Sequence, residues 1–374
     1  MLPVSITRWS VLLALTLAAV TPMAQAAEAS RRPIAAQDLW AVKRLAAPVL
    51  SPDGRRAVYS VQEWSIEKNK ATASLWLTDL TNRKTRRLTQ GNSSDTAPAW
   101  NDEGTRIAFV SKRGDDEASA LYVIEADGGE AEELLELPYG ISNPQWLPEQ
   151  QGIVFATQVI PALAGKLEKA DLAAMKKEAK RRKDSKMTAY ATEWRQYRYF
   201  DKNLTDQLAN RLVRIDLASK ALTDLTPGFD RLFMASGEVH FEMAPNGQQI
   251  ALALNSTPPP FAAEPNNDIY LVPTDGSGRL KNLTPDNIRN DDAPHFAPDG
   301  QSLVFVRQVL PTSAGELRRR HGAQAIGTDV KIVPGGGLGA EHALAPLHAV
   351  EVDLQDAAFV EQGFQHQRQH KLLG

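Results

Sequence analysis

Five times along this chain, an apolar residue followed a few positions later by a turn glycine leads into a short β-run. The glycines are Gly54, Gly104, Gly152, Gly247 and Gly300, at steps of 50, 48, 95 and 53 residues. The runs behind them are Arg56-Ala57-Val58-Tyr59-Ser60, Ile107-Ala108-Phe109-Val110, Ile153-Val154-Phe155-Ala156, Ile250-Ala251-Leu252-Ala253 and Leu303-Val304-Phe305-Val306. A period near 50 in an all-β register predicts a β-propeller, in which each repeat is a small sheet that buries both faces only between neighbours. The 95-residue step is then one blade plus an insertion of about 45 residues.

The second half of each period is also copied. Ser74-Leu75-Trp76-Leu77-Thr78, Ala120-Leu121-Tyr122-Val123-Ile124, Arg211-Leu212-Val213-Arg214-Ile215 and Asp268-Ile269-Tyr270-Leu271-Val272 are strand-like by their β-branched and aromatic content. Polar turns follow, such as Asp127-Gly128-Gly129 and Asp275-Gly276-Ser277-Gly278. A third strand closes on Leu88-Thr89, Leu225-Thr226 and Leu283-Thr284, with a looser copy at Glu133-Leu134-Leu135. The Asp and Gly residues are assigned to turns, because tight reversals need positive φ.

The N-terminus has the layout of a secretory leader. Arg8 supplies the positive charge, Val11 to Val20 is an apolar run, and Ala24-Gln25-Ala26 offers small residues for cleavage. The apolar run is too short to span a bilayer as a helix, so residues 1–26 are expected to be removed and the product to be periplasmic or secreted, without a membrane anchor. The chain has no cysteine, which excludes a disulfide framework and a lipid-modified cysteine. A net charge of −3 and a pI near 6.2 argue against a nucleic-acid partner.

One charge run stands out. Lys176, Lys177, Lys180, Arg181, Arg182, Lys183 and Lys186 lie inside the insertion, whose first half carries Leu163, Leu167, Ala170, Ala174 and Met175 near helical spacing. The expectation is a solvated amphipathic helix over the propeller rim, within an insertion at about 162–196; contact with an anionic surface or a partner domain is the other reading. Tyr190, Trp194, Tyr197, Tyr199 and Phe200 are expected to pin the insertion onto a blade rather than to form a substrate platform.

Arg32-Pro33-Ile34-Ala35-Ala36-Gln37-Asp38-Leu39-Trp40-Ala41-Val42-Lys43-Arg44-Leu45, followed by Pro48 and Ser51-Pro52-Asp53-Gly54-Arg55-Arg56, resembles the start of bacterial dipeptidyl aminopeptidases and acylaminoacyl peptidases. These belong to the prolyl oligopeptidase family of serine peptidases. Trp194 to Lys202, Asn210-Arg211-Leu212-Val213 and Ala297-Pro298-Asp299-Gly300-Gln301 carry the same likeness, which covers residues 32 to about 317. The resemblance implies a propeller that filters peptides, followed by an α/β-hydrolase domain with a Ser-Asp-His triad. The sequence departs from that plan, because the family's nucleophile sits in a G-x-S-x-G elbow and no such motif occurs here. Gly276-Ser277-Gly278 lacks the spacing and is read as a hairpin turn. No catalytic residue is therefore assigned.

After Leu317 the period is lost at Arg318-Arg319-Arg320-His321, and His321, His342, His348, His366 and His370 crowd the last stretch. Such a change in residue usage is what a shifted reading frame or a foreign tail would produce, with a divergent native tail as the alternative. His366 and His370 stand at i and i+4 without the glutamate of H-E-x-x-H, so no metal is assigned. Gly335-Gly336-Gly337-Leu338-Gly339 lacks the following Lys-Ser or Lys-Thr of a phosphate loop and is read as a flexible loop. No cofactor is expected.

The reading is an all-β chain: leader 1–26, propeller repeats 27–317 with four complete blades and part of a fifth, possible as an incomplete ring, and an irregular tail 318–374. The expected function is the substrate-gating portion of a secreted serine exopeptidase, truncated and inactive alone, whose partners are peptides and a missing α/β-hydrolase domain. A non-enzymatic, protein-binding propeller resembling the Tol-system translocation protein is the alternative.

Overall fold

The computed structural model describes residues 33–90, 93–114, 116–186, 198–199, 202–203, 208–234, 237–258, 266–308 and 328–334. The chain divides into two compact units, Met1–Val42 and Lys43–Gly374. In the first, helix α1 (Ala36–Ala41) is started by Asp38, whose carboxylate accepts the Ala35 N–H at 2.7 Å.

The second unit is built from successive antiparallel sheets, the blades of the expected propeller. Blade I holds β1 (Arg44–Leu45), β2 (Val49–Leu50), β3 (Arg56–Ser65), β4 (Lys70–Asp79) and β5 (Lys84–Arg87). Blade II holds β6 (Thr96–Trp100), β7 (Arg106–Ser111), β8 (Ala120–Glu125) and β9 (Glu132–Leu135). Blade III joins β10 (Ile141–Trp146) and β11 (Gly152–Val159) to β14 (Ala209–Asp216) and β15 (Leu222–Asp224); the insertion between them contains α2 (Pro161–Ala164), α3 (Lys169–Asp184) and the short pair β12 (Arg198–Tyr199) and β13 (Lys202–Asn203). Blade IV holds β16 (Phe241–Met243), β17 (Gln249–Asn255), β18 (Asn267–Pro273) and β19 (Lys281–Asn282). Blade V holds β20 (Asp291–Phe296), β21 (Ser302–Gln308) and β22 (Thr328–Pro334).

The apolar runs are continuous because each central strand faces two neighbours. Along β7, Ile107 and Phe109 pack with Val58, Leu75 and Leu77 of blade I, while Ala108 and Val110 join Ile153 and Phe155 of blade III. Along β17, Ile250, Leu252 and Leu254 meet Val154 and Leu212, while Ala251 and Ala253 meet Phe296, Leu303 and Phe305. Side chains alternate at period two, so one strand feeds two interfaces. A repeated pair adds direction. Trp100 donates Nε1–H to the Val49 carbonyl at 3.0 Å beneath the Arg56 guanidinium, and Trp146 donates to Ala99 at 3.0 Å beneath Arg106.

The Leu-Thr closures have a specific role. Thr89, Thr226 and Thr284 are buried, and their hydroxyls accept the N–H groups of Leu75, Leu212 and Ile269 at 2.9, 3.0 and 3.0 Å. Each satisfies a main-chain donor that the short last strand leaves open. Blade II has no threonine there, and β8 and β9 slip register between Leu121 and Tyr122.

Three sequence assignments are corrected. Each blade has a strand ahead of the turn glycine that the period did not reveal. Those of blades II, III and V are short and carry a proline, and Ala97, Asn143 and Ala293, each preceding that proline, take φ of 50°, 50° and 49° at a register shift. Gly152 is no turn residue but the first residue of β11; a Cβ there would lie 2.3 Å from the Ile215 carbonyl oxygen, so close strand approach explains it. Within the irregular tail 318–374, residues 328–334 form β22, antiparallel to β21 from Ser302↔Pro334 to Gln308↔Thr328. The second strand of blade V thus follows after 19 intervening residues, beyond where its period places it.

Candidate functional site

Polar side chains gather along the first strands of the blades. At the seam between blades III and IV, Asn143 donates to the Val239 carbonyl at 2.8 Å. Gln145 spans the same seam, donating to the Phe241 carbonyl at 3.0 Å and accepting the Met243 N–H at 3.1 Å. Those amides bond main chain of the next blade and so join the two blades.

The next seam is charged. His240 Nδ1 lies 2.8 Å from Asp292 Oδ1, and His295 Nδ1 lies 2.8 Å from Glu242 Oε2, so two imidazole–carboxylate pairs cross from blade IV to blade V in opposite senses. Glu242 Oε2 also accepts the Phe296 N–H at 3.2 Å. Antiparallel pairing of β20 with β21 and the shift between Asp292 and His295 set the positions of these two side chains. The Asp292 carboxylate, accepting a hydrogen bond from the imidazole, raises the His240 pKa above its ordinary value, against the opposing effect of burial. The site can exchange protons and bind a polar or charged group in reach of solvent, since the His295 side chain is 73% exposed.

The sequence reading assigned no site residues and singled out none of these four. Their signal lay in the period: His240 and Asp292 are 52 residues apart, and Glu242 and His295 are 53 apart, close to one repeat. Among the described residues no group of three or more His, Asp or Glu side chains is placed to hold a metal ion. Ser277 lies in the turn between β18 and β19, its N–H bonded to Asp275 at 2.8 Å. The tail histidines, Gly335 to Gly339, the leader 1–26 and the side chains of Tyr190, Trp194, Tyr197, Tyr199 and Phe200 lie outside the described residues.

The insertion does lie against a blade. Met175 of α3 is buried in one cluster with Ala164, Leu167, Val110 and Phe155, and Lys176 Nζ stands 3.7 Å from Glu117 and 3.6 Å from Glu136. A cleft of about 150 Å³ remains there, lined by Pro138, Leu172 and Ala173 among others.

The TolB beta propeller domain family matches residues 32–180, spanning blades I and II, the first two strands of blade III and the start of the insertion. Over those residues the chain is similar to TolB-type β-propeller domains. The propeller is similar to the uncharacterized peptidase YuxL of Bacillus subtilis, 27% identical over 64% of this chain and 34% of that protein. It is also similar to dipeptidyl-peptidase 5 of Porphyromonas gingivalis, 28% identical over 74% of this chain and 39% of that protein. The chain thus spans little more than a third of the length of these relatives. Among solved structures, an acylaminoacyl peptidase bound to a chloromethyl ketone aligns over 80% of this chain and 39% of its own, with a TM-score of 0.53 at 12% identity. The Pyrococcus horikoshii acylaminoacyl peptidase aligns over 79% and 38%, with a TM-score of 0.51 at 12% identity. At such identity the two structures speak to the fold alone.

Proposed function

We propose that this propeller is the substrate-gating portion of a periplasmic or secreted serine exopeptidase of the prolyl oligopeptidase type, which releases dipeptides or acyl-amino acids. Its partners are peptides and an α/β-hydrolase domain that supplies the triad; the propeller by itself is catalytically silent. The observation that carries this reading is that relatives named as peptidases match the chain along its blades, over 34% and 39% of their own length. The leader-like residues 1–26 support export.

The test is an assay on the purified chain with dipeptidyl and acyl-peptide chromogenic substrates, alone and fused to the hydrolase domain of a peptidase relative. The chain alone gives no turnover above buffer and takes up no serine-directed label. The fusion cleaves short peptides and spares long ones. Turnover by the chain alone with one labelled serine, or a fusion indifferent to peptide length, would sink the proposal. The match to a TolB domain family favours one second reading, a non-enzymatic protein-binding propeller. That reading requires a stable protein complex and a fusion that the propeller does not gate.

A further inference from the structure

Along helix α3 some charges are paired and others, among the described residues, are not. Glu178 takes Arg181 Nε at 2.6 Å and Arg182 Nε at 3.0 Å, and Lys176 faces Glu117 and Glu136. Asp171 is occupied by the Lys166 and Glu168 N–H groups, both at 3.0 Å. Lys169, Lys177, Lys180 and Lys183 are exposed, and none of them has an ion-pair partner among the described residues. Lys169, Lys180 and Lys183 stand at offsets of 0, 11 and 14, one stripe of a helix with 3.6 residues per turn. Lys177 lies beside it, well away from the buried Met175.

We propose that α3 docks this propeller onto an anionic phospholipid surface through Lys169, Lys177, Lys180 and Lys183. The sixteen residues of α3 extend for about 24 Å, so the lysines form a row rather than a pocket. A row of hydrated ammonium groups matches a flat, laterally mobile array of phosphates better than one fixed anion, which favours the planar guanidinium fork. Ala170, Ala173 and Ala174 are the exposed apolar residues of the helix, so the contact is electrostatic and does not insert. Base stacking, which single-stranded nucleic acid requires, has no aromatic side chain on α3 to use. Glu168 and Asp184 are exposed acids at the two ends of the row and bound its length.

The full chain is sedimented with vesicles of phosphatidylcholine alone and of phosphatidylcholine mixed with phosphatidylglycerol. Binding is expected to the mixed vesicles only, and to fade as salt rises from 0.1 to 1 M and the screening length falls from about 10 to about 3 Å. Replacing Lys177, Lys180 and Lys183 together by glutamine weakens binding roughly a hundredfold, while replacing them by arginine retains it. Circular dichroism establishes that the variants are folded, and the salt titration of the unaltered chain stands without them. Equal binding to both vesicles, no binding, or an unchanged glutamine variant overturns the proposal. So does capture of a soluble acidic protein by the same lysines in the absence of vesicle binding.

Discussion

Arg307 grips Asp291 with two parallel hydrogen bonds, Nε to Oδ1 and Nη2 to Oδ2, each 2.9 Å, between side chains that are 7% and 0% exposed. The pair ties β20 to β21, and blade II has its counterpart at the same offset of 16 residues, where Ser111 donates to Asp95 at 2.6 Å. Arg113 supplements that hydroxyl, reaching Asp95 at 3.0 Å.

Replacing Asp291 by alanine strands a buried guanidinium, whose second carboxylate, Asp286, is 3.6 Å away and exposed. The expected loss is about 3–5 kcal/mol, because removing one partner leaves the other charge uncompensated. Urea denaturation measures it. Asp95→Ala is expected to cost less, since Arg113 is 24% exposed and can turn to water.

Two glycines with the same backbone separate strain from contact. Gly54 and Gly247 have φ of 68° and 69°, but a Cβ at Gly54 meets nothing within 4 Å, whereas at Gly247 it would sit 2.4 Å from Cδ of Pro148 in the preceding blade. Gly54→Ala is expected to cost about 1–2 kcal/mol, the price of a left-handed residue. Gly247→Ala costs more, because blades III and IV must part to admit the methyl. Thermal unfolding of both variants decides it; equal losses would mean that the turn contact is soft.

The His240–Asp292 pair gives stability a pH dependence of known sign. Folding raises the His240 pKa above 6.5, so the folded state holds this proton more tightly than the unfolded chain. The stabilisation is fully present below the unfolded value and is lost as pH rises through the folded one. Melting temperature should therefore decline from about pH 6.5 upward by a small amount, since the His240 side chain is 41% exposed and the pair is screened. Asp292→Asn removes that slope. A slope unchanged in this variant would assign the titration elsewhere, with Glu238 and the His295–Glu242 pair as the neighbouring charged groups.

The sequence by itself determined the repeat, the central strands and the closing Leu-Thr pairs. Ile107 to Val110 and Ile250 to Ala253 announce themselves because a strand buried on both faces must be apolar at every position. The helix of the insertion was legible only in part: Met175 is buried on α3, but Leu163 belongs to α2, Leu167 with φ of 60° lies in the turn between the two helices, and Ala170 and Ala174 are exposed. Strands such as β6 and β20 were not, because Pro98 and Pro294 and the bulges beside them erase any alternation. Only the tertiary structure decided which blade each face meets, that Gly152 answers to the Ile215 carbonyl, and that His240 and His295 find carboxylates one repeat away. Those facts depend on the distance between sheets, and no local pattern of residues encodes a contact that forms only when two blades are packed together.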